Sequence, residues 1–478
     1  MIKKLNNKNL IIYFSFFFIL VGVFLRFYNL NYENLWFDEI VSYWIADPKI
    51  SFFESYQRNN IGEGTPFLFN FLIKILHIIF GYSPNVGRYL SCTVSALSII
   101  SIVFLMKTIK NNSSTLLIIF LVSFNIFLIK YSQELRVYSL VLFLSSMLLL
   151  FYFRMQKENI DEKYISINSL YFIVFQILSI LAHPFTIIIF GSIILYAIVI
   201  FFLKKKLNKL LNTSIIIISI FIIFYLPFYL INTEPYPSWI SQPSLKFYTN
   251  FYFSKFFGSR ILGIVHFIIL CFLIFKFRKK FLKDLEPSII LIFLIFFSYF
   301  IPIIFGYLYE PILAPRYIIF ILIPILILIS YLTFELKEKK IRYFIIFLII
   351  ILTLGNLWSE TTIKQFLEAR PNHKPQYSIA LKNINESKYN KLAINMSFAE
   401  KKDVHFNIAI NNYFKQIITK EKLDIKLIKI NNDENYFWLL CLTDLNRSLC
   451  NTFDKSRFKV LDEKNYNSIN LKLIKFLN

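Results

Sequence analysis

Long apolar runs separated by short basic clusters dominate the first three quarters of this chain. A helix of about 20 apolar residues crosses the hydrocarbon of a bilayer. Runs of that kind lie at 9–28, 88–106, 114–130, 136–153, 166–182, 184–203, 212–231, 259–276, 287–305, 316–333 and 341–357, which predicts eleven membrane-spanning helices. A further apolar stretch, Pro66 to Phe80, is shorter and carries Lys74 and His77. After Trp358 the pattern changes, and residues 359–478 are rich in Lys, Asn, Asp and Glu. Their short apolar runs Lys391–Met396, Ile425–Ile430, Tyr436–Leu442 and Ile469–Phe476 suit strands, and Phe406–Phe414 suits a helix. The expected domains are therefore a membrane domain over 1–358 and a small α/β domain over 359–478.

The positions of the basic residues set the expected sidedness, because short cytoplasmic loops collect Lys and Arg. If 66–80 does not cross, Lys3/Lys4/Lys8, Lys107/Lys110, Arg154/Lys157/Lys163, Lys204/Lys205/Lys206/Lys209, Lys276/Arg278/Lys279/Lys280/Lys283 and Lys337/Lys339/Lys340/Arg342 all fall inside. If it crosses, every cluster after the first falls outside. The stretch is accordingly read as a juxtamembrane or re-entrant helix in a long first external loop, about 29–87, and the C-terminal domain as external. The chain is thus expected to be a multi-pass protein of the plasma (inner) membrane.

Composition supports this class. Apolar residues make up 56% of the chain and charged residues 17%, against about 25% charged in soluble domains. The net charge of +23 does not indicate nucleic acid, because the basic residues alternate with apolar spans instead of covering one soluble face. Lys3 and Lys4 before an apolar stretch imitate a secretion signal, but Val23-Phe24-Leu25-Arg26-Phe27 is too bulky for cleavage, so the first helix should be retained. Cys92 and Cys271 read as packing residues, while Cys441 and Cys450 share the external domain, where a disulfide is permitted. The sequence has no Gly-rich nucleotide loop or Walker motif.

The expected topology gathers one set of polar residues at the external helix ends: Asp38, Glu39, Glu63, Arg88, Glu134, Arg136, His183, Glu234, Glu310 and Arg316. Ionisable groups at the edge of hydrocarbon are costly unless solvated or bound, so they point to function. Snorkelling anchors are the bland alternative, which applies most to Arg88 and Glu310. Displacing a lipid phosphate from a sugar's anomeric carbon needs a base for the incoming hydroxyl and positive charge for the departing phosphate. Asp38 is the candidate base, with Glu39 beside it. Arg316, Arg136 and His183 are the candidate phosphate ligands, although His183 before Pro184 also suits a helix-end cap. Glu39, Glu63 and Glu134 offer oxygens for a divalent metal ion, and Glu134 equally suits an ion pair with a neighbouring Arg. No His/Cys cluster has zinc spacing.

Several motifs occur in order: Trp36-Phe37-Asp38-Glu39, Gly62-Glu63-Gly64-Thr65-Pro66, Gly81-Tyr82-Ser83, Arg88-Tyr89-Leu90-Ser91, Ser132-Gln133-Glu134-Leu135-Arg136-Val137-Tyr138, Ala182-His183-Pro184 and Ala314-Pro315-Arg316-Tyr317. The series resembles the bacterial branch of the GT-C glycosyltransferases that includes protein O-mannosyltransferases and the aminoarabinose transferase of lipid A (glycosyltransferase family 39-like). The resemblance covers the whole membrane region. It implies a GT-C fold, a polyprenyl-phosphate sugar donor and an essential acid in the first loop, which matches Asp38. Glu39 matches its neighbour, Glu63 the acid before the Pro-led helix, Glu134 the acid of the second external loop, and Arg316 the Arg-Tyr opening a late helix. This chain departs from the pattern at Thr65-Pro66, where the family has Pro-Pro, and at Gly64, where the aminoarabinose transferases have a basic residue.

The expectation is a membrane glycosyltransferase that moves a sugar from a polyprenyl-phosphate donor to a glycan, lipid or exported-protein acceptor on the external face. Two alternatives are an envelope polysaccharide polymerase or ligase, which places Arg and His in its external loops, and a lipid-linked-sugar transporter or flippase. A transporter would place its charges near the midplane in interrupted helices. The topology has a direct check. A cysteine at Asn385 should react with an impermeant thiol reagent from outside while one at Lys205 stays protected, and the reverse pattern would overturn the sidedness.

Overall fold

The computed structural model describes residues 7–30, 33–110, 114–158, 164–204, 208–233, 240–283, 288–360, 374–395, 402–428, 435–442 and 458–477. Every expected span coincides with an apolar helix. Helix α1 covers Asn7–Phe27. In the loop that follows lie α2 (Phe37–Ile45), α3 (Phe52–Gly62) and α4 (Leu68–Phe80). The chain continues through α5 (Pro84–Ile109), α6 (Ser114–Phe124), α7 (Ile126–Ser132), α8 (Tyr138–Gln156), α9 (Ile167–Ala182), α10 (Ile187–Lys204) and α11 (Lys209–Asn232). Two single-turn helices, α12 (Leu245–Tyr248) and α13 (Phe253–Phe256), lead to α14 (Arg260–Lys283), α15 (Ser288–Leu308), α16 (Leu322–Glu335) and α17 (Lys339–Glu360). Among the described residues eight helices are long and apolar enough to cross a membrane, or nine if the bent pair α6–α7 is one span. The segments Ile167–Ala182 and Ile319–Glu335 are shorter apolar helices, as is Leu68–Phe80. The protein is a multi-pass membrane protein with a small C-terminal sheet.

The expected span 114–130 is not one straight helix: α6 and α7 meet at 51°. Asn125 between them has an extended ψ of 115° and its Oδ1 accepts from Leu128 N–H at 3.0 Å. It therefore caps α7 and interrupts α6. A helix that stops inside a bundle leaves its last carbonyls without intrahelical donors, and Arg26 of α1 supplies them. Its Nη2 donates to Val122 O at 3.0 Å and its Nη1 to Ser123 O at 3.1 Å, while Nε donates to Ser95 Oγ of α5 at 2.9 Å. The guanidinium is fully buried. It reaches α6 because Gly22, one turn earlier, lets the helices touch. A Cβ there would lie 2.7 Å from Ser123 Cβ. The end of α1 is tied in turn by Gln133 Nε2, which donates to Leu25 O at 3.1 Å and Tyr28 O at 3.0 Å.

The break is also locked to the segment before α14. Asn125 Nδ2 donates to Phe256 O at 3.0 Å and Asn356 Nδ2 to Phe257 O at 3.1 Å. Gly258 follows at φ +83°, where a Cβ would lie 2.2 Å from Ile126 Cγ2. Both the left-handed backbone and the close contact require glycine there.

By its contacts the chain divides into two compact units. One comprises Met1–Tyr28, Thr65–Phe69 and Arg88–Lys364; the other comprises Asn29–Gly64, Asn70–Gly87 and Gln365–Asn478. In the second, α18 (Tyr377–Asn385) and α19 (Lys402–Glu421) accompany strands β1 (Lys391–Asn395), β2 (Lys426–Ile428), β3 (Tyr436–Leu442), β4 (Phe458–Tyr466) and β5 (Ile469–Phe476). The sheet order is β2-β1-β3-β5-β4, with β1 parallel to β2 and β3, and β5 antiparallel to β3 and β4. Phe437, Leu439 and Cys441 of β3 pack with Ala393 and Ile474. Cys441 is disulfide-bonded; Cys450 lies outside the described residues.

The polar residues of α4 explain why so short an apolar stretch carries them. Lys74 Nζ donates to Asp47 O and Ile50 O at 2.5 and 2.8 Å, and His77 Nδ1 lies 2.8 Å from Ala46 O. Both hold the bend after α2, while Ile78, Ile79 and Phe80 stay exposed.

Candidate active site

The first-loop acids sit at the start of α2. Asp38 is half-buried in the first turn, where the helix dipole favours a carboxylate. Glu39 is fully buried. Its Oε2 accepts from Trp36 N–H at 3.2 Å, capping the helix, and from Lys374 Nζ at 2.8 Å. Glu63, which ends α3, is also buried and accepts from Ser42 Oγ–H at 2.7 Å. These three acids belong to the second unit. Two of the oxygens proposed for a metal are therefore occupied by protein donors. Among the described residues no group of three or more His, Cys, Asp or Glu could hold a metal ion.

The remaining site residues belong to the first unit, and three of them converge on one aromatic ring. The Arg136 guanidinium lies 5.9 Å and the Arg316 guanidinium 5.8 Å from the centre of Tyr138. Arg316 also lies 5.6 Å from the Tyr317 ring. His183 stands 5.2 Å from Tyr317 and 6.4 Å from Tyr138. Cation–π contacts of this kind contribute about 0.5–2 kcal/mol each. Residues 136, 183 and 316 come from the loop after α7, the junction of α9 with α10, and the turn before α16. The turn at Arg316 is closed by Tyr317 N–H donating to Ala314 O at 3.1 Å. Glu134 is buried two residues before Arg136, whose N–H donates to its carbonyl at 2.8 Å.

His183 caps a helix end, as one of the two sequence readings expected. It ends α9, and its Nδ1 accepts from Phe185 N–H at 3.2 Å. That acceptor role leaves the proton on Nε2, a donor. The imidazole stays neutral because burial first, and then the charges of Arg136 and Arg316, push its pKa down to about 3. Two guanidinium groups and a neutral imidazole thus stand around two aromatic rings. Arg88 is buried and Glu310 exposed; Glu234 lies outside the described residues. Sequence reading assigned no role to Tyr138, Tyr317 or Lys374. The two tyrosines stood in the quoted motifs, whereas Lys374 lies in a charge-rich stretch with no pattern.

No protein-family model matches the sequence, and no curated protein matches it either. Solved structures do. ArnT from Cupriavidus metallidurans in the apo state is similar at a TM-score of 0.57 and 11% identity, covering 96% of this chain and 97% of that one. The fold is GT-C. ArnT bound to undecaprenyl phosphate gives a TM-score of 0.54 over the same shares at 11% identity. The Archaeoglobus fulgidus oligosaccharyltransferase, in complex with Zn and sulfate, gives 0.54 at 13% identity, over 89% of this chain and 67% of that one. The GT-C fold expected from the motif series is therefore present, although sequence similarity is very low.

The depressed pKa of His183 carries a sign that can be measured. The unfolded imidazole takes up a proton near pH 6.5 that the folded one refuses until about pH 3. Stability contributed by the neutral ring is therefore complete above pH 6.5 and falls as the medium becomes more acidic. Between about pH 7.5 and pH 5 the loss from this residue is about 2 kcal/mol. In His183→Gln the difference in unfolding stability between those two conditions should shrink by that amount. An unchanged pH dependence would mean that His183 does not titrate as described.

Proposed function

We propose that the chain is a membrane glycosyltransferase that uses a polyprenyl-phosphate-linked sugar and works on the external face of the plasma membrane. The observation that carries this reading is the convergence of Arg136, Arg316 and neutral His183 on Tyr138 and Tyr317, within a fold shared with a protein crystallised with undecaprenyl phosphate. Arg316 and Arg136 hold the donor phosphate, the planar guanidinium of Arg316 gripping two of its oxygens. His183 Nε2–H donates to the same group. As the anomeric carbon–oxygen bond breaks, negative charge grows on the departing lipid phosphate, and fixed cations stabilise that state.

Asp38 takes the proton of the acceptor hydroxyl as its oxygen attacks the anomeric carbon. It stands half-buried in the first turn of α2. The sugar is transferred to a glycan, a lipid or an exported protein. A carrier is the weaker reading, because cations at the ends of helices around aromatic walls grip a phosphate instead of releasing it along a path.

Asp38→Asn preserves shape and removes the base. Product formation should fall by roughly a hundredfold or more, while membrane insertion and binding of undecaprenyl phosphate persist. Envelope glycan mass analysis of cells producing each variant reads the product, and near-normal product from an inserted Asp38→Asn protein would eliminate Asp38. For the donor site, Arg316→Ala should weaken undecaprenyl phosphate binding by about tenfold to a hundredfold, the value of a charge-assisted contact of about 1.5–3 kcal/mol. Arg316→Lys should fall between, and unchanged affinity in Arg316→Ala would make the residue an interfacial anchor.

A further inference from the structure

Glu39 and Lys374 are separated by 335 positions, yet they form a buried ion pair beside Asp38. The lysine side chain is 13% exposed and the glutamate 0%. Lys374 is itself held in place. Its N–H donates to Glu33 Oε1 at 3.3 Å, and its carbonyl accepts from Asn467 Nδ2 at 3.1 Å. Asn467 stands in the β4–β5 turn, and its own N–H donates to Gln376 Oε1 at 3.2 Å. The stretch before α2 is fastened to the same C-terminal segment by Asn34 and Ser378, which exchange two hydrogen bonds of 3.0 and 3.1 Å. Leu35 N–H donates to Tyr413 OH at 3.0 Å, and Tyr43 OH donates to Gln416 Oε1. Phe37, next to Asp38, packs edge-on against Phe406 at 5.1 Å.

We infer that the Glu39–Lys374 pair is a positioning device, by which the C-terminal α/β segment sets the first turn of α2 and so the carboxylate of Asp38. This rests on the reading of Asp38 as the base, and it changes the part assigned to Glu39, which acts through the helix start and not on substrate. A single oxygen of Glu39 serves both the cap at Trp36 and the ammonium of Lys374. The ion pair therefore fixes how the helix begins. Geometry of this kind matters to a base, because small displacements of a catalytic group cost large factors in rate. Removing one partner of a buried pair also leaves an uncompensated charge, whereas removing both charges does not. That difference makes the pair testable without confusing positioning with folding.

The experiment uses the full-length chain in nanodiscs, with Lys374→Met, Lys374→Arg, Glu39→Gln and the double variant Glu39→Gln/Lys374→Met. Three quantities are read: amide hydrogen exchange over residues 36–41, affinity for undecaprenyl phosphate, and envelope glycan product in cells producing each protein. In the double variant, free of orphan charge, exchange should rise about tenfold and product fall about tenfold, with undecaprenyl phosphate affinity unchanged. Lys374→Arg should recover product to within about threefold of the parent. The two neutralising changes should not add, since they break one interaction. Unchanged exchange and product in the double variant would overturn the inference, and so would a loss of lipid affinity matching the loss of product. Asp38→Asn, run alongside, separates the two claims: retained product there removes Asp38 as base, while unchanged exchange in the double variant removes the positioning role whatever Asp38 does.

Discussion

The break at Asn125 is the constraint on which the membrane unit depends. Without it α6 and α7 would form one straight span, and the loop carrying Glu134 and Arg136 would leave the bundle along a different line. The break costs the last carbonyls of α6 their helical donors, and a buried guanidinium from α1 meets that cost. Arg26 is thus a charge in an apolar helix whose function is structural: it spends its donors on carbonyls and on Ser95, not on a substrate. Gly22 and Gly258 are glycines for the same reason, because side chains there would push α1 and the α13–α14 turn away from the break. The short, redirected α7 then ends just before Arg136 and Tyr138, where the Arg136–Arg316–His183 cluster begins.

The two sets of functional groups differ in how they are held. Around Tyr138 the Arg136 and Arg316 guanidinium groups lie beside an aromatic ring, and burial, together with their charges, keeps His183 neutral. At α2 an oxygen of Glu39 is taken up by a backbone N–H and a lysine. Its neighbour Asp38, one position earlier, is half-buried. Adjacent carboxylates thus meet different surroundings.

Much of this was legible in the sequence. Eleven apolar runs became apolar helices, because hydrophobic length is a signal that does not depend on distant partners. Strands β3 and β5 begin and end at the expected residues, since both are largely buried. Strand β4 was missed: it is the sheet's edge, mostly exposed, and Lys459, Asp462, Glu463 and Lys464 hide its pattern. Helix α18 is too short to show a period. The break at Asn125 was also invisible, because a lone Asn in an apolar run reads as a tolerated polar residue until its cap is seen. Among the site residues, sequence identified Arg136, His183 and Arg316, and the structure brings them together. The aromatic ring that joins them and the lysine that holds Glu39 are long-range facts, and a local pattern cannot carry them.

The central claim is that the cluster of Arg136, Arg316 and His183 receives the lipid phosphate. Its most direct test is an electron cryomicroscopy map of the full-length protein in nanodiscs with undecaprenyl phosphate. The account predicts density for the phosphate within hydrogen-bonding distance of both guanidinium groups and of His183 Nε2, beside the Tyr138 ring. Phosphate density lodged elsewhere, with the Tyr138 cluster empty, would contradict it.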